Sequence, residues 1–560
     1  MRRWSGNWQE VVRFADLLLA AADRDPDHEA VVFPGERVTY GDLAGRAMFA
    51  ARSLAGLGLR AGGKVGILMP NCLEYVELLF GASLLGAVLV PINSRFAPRE
   101  LGHVIRSGDL ELVITSDMVV DHADYASRLR EALPALRDAE AGATLRQHDA
   151  PALRAVVLLG AERQPGMLSA ADFRGAAQRV DERQILLWHS RTAVRSPVLM
   201  MYTSGTTAVP KGCVMSHEAV VRTAVVAGRT RFELTSSDRM WDPLPMFHMS
   251  AILPLIGVFD AGATFMSMTH FEPGAALEMI DRERTTVSFA TFPAITQALL
   301  NHPGYHPDRW HGIRLINNVA PPDTLLVMQQ QMPHTTQISA YGCTECGGVV
   351  AFNESSDTLE QRTTTSGRPF DGIELEIRDI ETGDRCPPGA RGEIVVRGYN
   401  LFDGYYRDPE LTAAAVDADG WFRTGDIGSL SADGRVSYLG RLKDMLKVGG
   451  ENVAAVEIES YLGTHPAVSI AAVVGVPDPK YVEVAAAFIE LRPGHRLTEA
   501  EVIDFCRGGL AAFKVPRHVR FVDEWPMSST KIQKYRLQQD LARELEQTRL
   551  GAPLRTASAP

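Results

Sequence analysis

Two hydrophobic rhythms alternate along the chain. Short β-branched runs, KVGILM from Lys64, VLVPI from Val88, LVIT from Leu112, VSFATF from Val287 and RLINNV from Arg314, read as core strands, and apolar residues at helical spacing fill the segments between them. That alternation predicts an α/β architecture. Near Leu375 the rhythm changes: GIELEIRDIETGDRCPPGARGEIVVRG holds strands and glycine-rich turns, which predicts an antiparallel or barrel-like β subdomain. After Gly440 a fresh cycle starts, with a helix from Val453, strands AVSIAAVVGV and VEVAAAFIEL, a helix from Thr498 and a strand RHVRFV. These are enough for a small α+β domain.

Length and composition narrow the picture. A chain of 560 residues with 46% apolar content exceeds what one core covers, so two or more domains are expected. The most apolar stretch, LLFGASLLGAVLVPI from Leu78, is shorter than a membrane span and runs into Pro91, as a buried helix feeding a buried strand does. At the start, Glu10, Arg13 and Asp16 interrupt any signal-peptide core, so an amphipathic surface helix is expected and no transmembrane segment. The formal net charge is -11 and no block of basic residues appears, which argues against nucleic acid as a partner. Six cysteines without framework spacing suit a reducing, cytoplasmic setting, and CTEC from Cys343 lacks the second ligand pair that a structural zinc site needs.

Lysine usage marks particular segments. Only eight of the 57 basic residues are lysine, and Lys211, Lys443, Lys447, Lys531 and Lys534 lie in loops flanked by glycine or serine. Where composition favours arginine, the remaining lysines are enriched at places that need a compact ammonium. One of them ends the stretch MYTSGTTAVPKGC from Met201. Hydroxyls, backbone N–H groups and one lysine can cradle phosphate, although small polar residues between apolar segments are also an ordinary solvated loop. The stretch is not a Walker loop: Pro210 precedes the lysine and Gly212 stands where the magnesium-binding hydroxyl belongs. No dinucleotide fingerprint follows an early strand either.

YTSGTTAVPKG instead resembles the phosphate loop of the adenylate-forming superfamily, which includes acyl-CoA synthetases, luciferases and the adenylation domains of peptide synthetases. Further on, AYGCTE at Ala340, GYYRDPELT at Gly404, GWFRTGDIG at Gly420, GRLKDMLKVGGENV at Gly440 and PMSSTKIQK at Pro526 resemble that family's remaining signatures, in the family's order. The resemblance runs from VTYGDLAGRA at Val38 to Leu537. It implies an N-terminal AMP-binding domain over 1–440, a hinge at 441–444, a mobile C-terminal domain over 445–545 and a flexible tail over 546–560.

It also implies ATP, magnesium and coenzyme A as the small molecules the chain handles. Joining a carboxylate to AMP makes a better leaving group, so the site must hold a triphosphate, a magnesium ion, a ribose and a carboxylate. Thr203, Ser204, Gly205, Thr206, Thr207 and Lys211 would serve the β- and γ-phosphates, and Glu345 would give magnesium a hard oxygen ligand. Asp426 can accept from both ribose hydroxyls. By resemblance, Tyr341 lies against adenine, Thr344 touches the α-phosphate and Arg441 reaches the ribose. Lys531 is the expected catalytic lysine, set between carboxylate and triphosphate, and it keeps the spacing K-I-Q-K; Lys534 is its rival and is given a surface role. Lys443 matches the hinge position. Gly449 and Gly450 would admit the pantetheine arm, with Lys447 assisting the thioester step.

The chain departs from the family's pattern in places. Thr530 precedes Lys531 where relatives have glycine, and Ala208 replaces a loop glycine. NNVAPP at Asn317 replaces the glycine-rich segment near adenine, and Val319 there resists positive φ, which leaves the shape of the adenine wall open. PMFHMSAILPL from Pro245 carries no aspartate to pair with an amino group, so amino acids are not the expected substrate. Met246, Phe247, Met249, Ala251 and Val349, with Gly347 and Gly348, outline an apolar acyl pocket. His248 matches the family's gate beside the reacting carbonyl. The expected activity is ATP-dependent ligation of an apolar, fatty-type acid to coenzyme A. An aryl- or cyclic-acid ligase is the alternative, a non-catalytic scaffold a more distant one, and a homo-oligomer is left open.

Overall fold

The computed structural model describes residues 12–138, 150–160, 164–203, 210–448, 451–478, 481–527 and 532–549. Its described residues form two compact units. The first runs up to Ala320 and adds Val327–Leu375 and Val396–Phe422; the second holds Pro321–Leu326, Glu376–Val395 and the residues from Arg423 onward. The β region near Leu375 therefore groups mainly with C-terminal residues.

Two large sheets organise the first unit. One runs in the order Gly404–Tyr405, Lys211–Ser216, Pro197–Thr203, Val88–Pro91, Lys64–Leu68, Leu112–Ser116, Ala155–Leu159 and Leu168–Ser169. The other runs Thr336–Ile338, Leu315–Asn318, Val287–Thr291, Arg239–Trp241, Thr264–Met266, Glu29–Phe33 and Glu36–Thr39. All five runs read as strands from sequence are strands here, and they are buried at almost every position. Their pairings to neighbouring strands are parallel, and strands of parallel sheets are covered on both faces, which is why the runs are buried at consecutive positions instead of alternate ones.

Helices close the layers. Leu73–Leu85 is buried along nearly its whole length and leads into Val88–Pro91, the buried helix and strand expected of that stretch. The helix Phe14–Arg24 is amphipathic and packs Phe14, Leu17, Leu18 and Ala21 inward. It is fastened by Asp16, whose carboxylate meets His189 at 2.7 Å and Arg13 at 2.9 Å, while the Phe14 N–H donates to His217 Nδ1 at 3.1 Å. Among the described residues no helix is long and apolar enough to cross a membrane.

The second unit follows the predicted cycle. A four-stranded sheet, Ile373–Arg378, Arg391–Gly398, Phe422–Leu430 and Val436–Arg441, lies mostly within it. Its other sheet joins Glu451–Ala454, Met445–Val448, Val482–Leu491 and Val468–Asp478, with His518–Phe521 parallel to Val482–Leu491. The helix Ala455–Gly463 buries Ile458 and Leu462 against this sheet beside Val473 and Ala487. On its other side the helix Lys534–Arg549 sets Leu537 and Leu541 against Val474, Val476 and Ala486.

Candidate active site

The stretch from Met201 is a connection between two antiparallel strands. Pro197–Thr203 pairs with Lys211–Ser216 in a register that sets Thr203 opposite Lys211 and Tyr202 opposite Gly212. The two ends of the candidate phosphate loop are thus fixed by sheet hydrogen bonding. Ser204, Gly205, Thr206 and Thr207 lie outside the described residues, as does Ala208. One more strand extends the edge: Gly404–Tyr405 pairs antiparallel with Lys211–Ser216, setting Tyr405 opposite Cys213.

This edge meets the AYGCTE segment. Tyr341 is buried at the end of the short strand Ala340–Tyr341, and Thr344–Cys346 forms a 3₁₀ turn. The turn is sewn in place by its backbone: Phe402 N–H donates to Glu345 C=O at 2.8 Å and Asn400 Nδ2 donates to Cys346 C=O at 3.0 Å. The Glu345 carboxylate then accepts from the Tyr405 hydroxyl at 3.1 Å and from Thr203 Oγ1 at 3.4 Å. Lys211 completes the group, its ammonium 5.6 Å from the centre of the Tyr405 ring. Burial, with the Glu345 carboxylate adding to it, pushes the Tyr405 phenol well above its ordinary range, so it stays a donor.

Thr203, Lys211 and Glu345 are therefore brought together, and Tyr405 with them. Sequence reasoning missed Tyr405 as a site residue although it stands in GYYRDPELT; its signal was an aromatic beside a glycine, which is ordinary in a turn. Lys211 makes no ion pair among the described residues. Glu345 fits a magnesium ion as a single hard oxygen donor, because magnesium is commonly held by one or two carboxylates together with substrate phosphates. Among the described residues no group of three or more histidine, cysteine or acidic side chains could hold a metal by itself, and all six cysteines are free thiols.

His248 stands one residue before the helix Met249–Ala261, with an extended backbone, and its ring packs 4.6 Å from that of Phe247. Met246, Phe247, Met249, Ala251 and Val349 are all buried. Gly348 has φ +96, and a Cβ there would come within 2.9 Å of Met249 Cβ, so the segment after the 3₁₀ turn can press against the start of that helix only as glycine. Around NNVAPP, Val319 is not among the residues with positive φ; Thr291, on the neighbouring strand, is, at +52. Thr291 C=O accepts from Val319 N–H at 2.7 Å and Thr291 Oγ1 from Asn317 Nδ2 at 3.0 Å, so the unusual conformation sits beneath the segment instead of in it.

A second group lies in the second unit. Asp426 is opposite Arg441 across the antiparallel strands Phe422–Leu430 and Val436–Arg441, and their side chains pair at 2.9 Å. Asp426 is 2% exposed, and its N–H donates to Thr424 Oγ1 at 3.0 Å, the turn that the TGD sequence builds. Lys443 is exposed in the 3₁₀ turn Leu442–Asp444. Gly449, Gly450 and Lys531 lie outside the described residues, and for Lys447 only the backbone, in Met445–Val448, is described. Lys534 does not have the surface role expected of it: its ammonium pairs with Glu459 at 2.6 Å, three-quarters buried.

A cavity of about 470 Å³ in the first unit was not legible in the sequence. Arg95 and Arg128 line it with Phe96, His122 and Tyr125, and Arg128 also donates to Ser94 C=O at 2.8 Å. Two guanidinium groups beside aromatic rings suit an anionic, ring-bearing ligand.

The chain matches known proteins over most of its length. The family model of AMP-binding enzymes matches residues 18–406, and that of the AMP-binding enzyme C-terminal domain matches 457–531. The YngI protein of Bacillus subtilis (strain 168), named as an unproven acyl-CoA synthetase, is 33% identical over 530 residues, covering 93% of this chain and 96% of its own. A mitochondrial medium-chain acyl-CoA ligase of Rattus norvegicus, ACSF2, is 31% identical over 543 residues, 95% of this chain and 88% of its own. Among solved structures, the anthranilate CoA ligase AuaEII in complex with anthranoyl-AMP superposes with a TM-score of 0.83 at 26% identity, covering 96% of this chain and 99% of that one. With its motifs in order and a family model matched over more than half its length, the chain belongs to the AMP-binding enzyme family.

Proposed function

We propose that this AMP-forming acid–CoA ligase activates an apolar monocarboxylic acid, with fatty acids of medium chain length the first candidates. A carboxylate oxygen attacks the α-phosphorus of ATP and pyrophosphate leaves, giving acyl-AMP. The sulfur of coenzyme A then attacks the acyl carbon, its proton goes to solvent, and AMP leaves. No dedicated base is demanded, since a thiol already has a few per cent of thiolate near neutrality.

The observation that carries the proposal is the cluster of Thr203, Lys211, Tyr405 and Glu345. It offers a hydroxyl, an ammonium and a carboxylate at the two ends of one loop, the set a magnesium triphosphate needs. Glu345 would hold the ion, which would supply charge neutralisation to the triphosphate. In this reading Thr344 meets the α-phosphate, Tyr341 the adenine, Asp426 and Arg441 the ribose, and His248 gates the reacting carbonyl. Lys531 bridges carboxylate and triphosphate. That choice is supported by the Lys534–Glu459 pair, which leaves the rival lysine occupied. Lys443 serves as hinge, and Gly449, Gly450 and Lys447 serve the pantetheine arm. The Arg95 and Arg128 cavity is proposed for the anionic nucleotide end of coenzyme A.

The acid is read as apolar because Met246, Phe247, Met249, Ala251 and Val349, the side chains expected around it, are all apolar and buried. The likeness to an anthranilate CoA ligase supports the second reading, an aryl acid. Pyrophosphate release with straight-chain, cyclic and aryl acids, with and without coenzyme A, separates them. Straight-chain acids should be fastest; turnover of aryl acids alone would replace the first reading with the second, and release with no acid would end both.

A further inference from the structure

We propose that the C-terminal turn of the helix Pro98–Ser107 is a clamp for the phosphate loop, with His103, Ser107 and Asp109 as positioning residues for adenylation. The inference rests on reading Thr203 to Lys211 as the triphosphate loop. That loop hangs from two described points, Tyr202 and Thr203 at one end and Pro210 and Lys211 at the other, and the helix holds both.

At the far end, His103 Nε2 lies 3.0 Å from Pro210 C=O, the peptide just before Lys211. A carbonyl only accepts, so Nε2 carries the proton. At the near end, Ser107 Oγ and the Tyr202 hydroxyl are 2.9 Å apart, and the Ser107 hydroxyl donates to His103 C=O at 2.8 Å. The Tyr202 hydroxyl also donates to Val104 C=O at 3.4 Å, and Ser107 Oγ lies 3.3 Å from His103 Nε2. Burial pushes the Tyr202 phenol up to about 12, with the Ser107 contact opposing, so the donor is present at neutral pH. The contacts form one connected group: Tyr202 with Ser107 and the Val104 carbonyl, Ser107 with the His103 carbonyl, and the His103 ring with Pro210. Gly108 makes the approach possible, because a Cβ there would lie 2.9 Å from the Tyr202 hydroxyl and 2.7 Å from Val104 C=O.

A second arm reaches the other side of the cradle. Asp109 accepts from the Tyr406 hydroxyl at 2.7 Å and pairs with Arg407 at 2.8 Å. These two residues directly follow Tyr405, whose hydroxyl and ring contact Glu345 and Lys211. Asp109 and Arg407 both have left-handed backbones, φ +47 and +55, a conformation costly for residues with side chains and kept where the surroundings over-determine it. The helix end and the two residues after it thus contact the immediate neighbours of Thr203, Lys211 and Tyr405, and packing alone would not need directional polar contacts at those places.

The test uses the full chain and measures the two half-reactions separately. His103→Ala should raise the KM for ATP about tenfold, within the range found for groups that orient a ligand's direct partners. The KM for the acid and the rate of thioester formation from added acyl-AMP should hold, since that step has no triphosphate to seat. His103→Gln keeps an N–H donor and should recover most of the loss. Gly108→Ala should shift ATP use in the same direction, and Ser107→Ala, which removes one hydroxyl, keeps the test open if His103→Ala folds poorly. Equal slowing of both half-reactions would reduce the clamp to a structural contact and overturn it. So would an unchanged KM for ATP in His103→Ala while Lys211→Ala raises it; if Lys211→Ala also leaves it unchanged, the phosphate-loop reading falls first.

Discussion

Lys211 opens a strand of the first unit and Lys534 opens a helix of the second, and their surroundings are opposite. Lys211 faces the Tyr405 ring and makes no ion pair among the described residues. Lys534 pairs with Glu459 at 2.6 Å, and Glu459 also takes the Val473 N–H at 2.6 Å. An aromatic face attracts a cation without cancelling its charge, whereas a carboxylate cancels it. The first lysine keeps its charge uncancelled among the described residues; the second joins the helix Lys534–Arg549 to the helix Ala455–Gly463. Lysine scarcity marked both positions, and only the partner separates the roles.

The sharpest way to break this comparison is to exchange the two lysines of K-I-Q-K. Lys531→Ala should slow acyl-adenylate formation by about 10²–10³, the loss usual for one charge-stabilising donor, and leave thioester formation from added acyl-AMP largely intact. Lys534→Ala should lower the melting temperature and change adenylation far less. The reverse pattern would mean that Lys534 is the catalytic residue and that its pairing with Glu459 is given up in turnover.

The next effect concerns the lysine that faces the aromatic ring. Lys211→Ala should weaken ATP use by about tenfold to a hundredfold, and Glu345→Gln should raise the magnesium requirement, each by removing a charge that balances the triphosphate. Titrations of ATP and magnesium check both, and two unchanged curves would leave the cluster without its proposed ligand.

A smaller effect is expected at the proposed hinge. Lys443→Pro fixes φ within an exposed 3₁₀ turn, so it should slow thioester formation more than adenylation in single-turnover assays. Equal slowing of both steps would point to loss of stability instead, and no slowing of either would remove Lys443 as the pivot.

The smallest effect is on stability and needs no substrate. Burial, with repulsion from His189 next, lowers His217 to about 3, and its Nδ1 must stay unprotonated to accept the Phe14 N–H. Below the ordinary histidine value of 6.5 the unfolded chain takes up a proton that the folded chain refuses, so stability falls as pH drops from 6.5 toward 3, by at most about 1.4 kcal/mol per pH unit. Asp16 acts in the same sense at lower pH: its folded value is depressed, and its share is lost only as pH falls below the ordinary carboxylate range. Denaturant unfolding at pH 7 and pH 5 should show the loss, and His217→Asn should flatten it.

Much of the fold was legible because burial on both faces leaves a direct trace in sequence. The runs at Lys64, Val88 and Leu112 are apolar almost throughout, those at Val287 and Arg314 also bury Ser288, Asn317 and Asn318, and all are strands of mostly parallel sheets. The site was legible in a different way, through motif order: Thr203, Lys211 and Glu345 were named from their motifs and stand together. Tyr405, His103 and the Arg95–Arg128 cavity were not legible. Each depends on pairing between segments remote in sequence: Tyr405 faces Cys213, and His103 reaches Pro210. A lone tyrosine or histidine on a periodic segment carries no mark of what it will meet.

By itself the sequence determined the layer architecture, the order of the signature segments and which residues are proposed to handle triphosphate, metal and carboxylate. Hydrophobic periodicity and short-range turn chemistry act over a few residues and are written locally. The tertiary structure alone decided which partner each of these charges meets among the described residues. Lys211 meets an aromatic ring and Lys534 a carboxylate because strand register sets Tyr405 beside one and helix packing sets Glu459 beside the other. Such pairings are settled by contacts between distant segments, and these exist only once the sheets have formed.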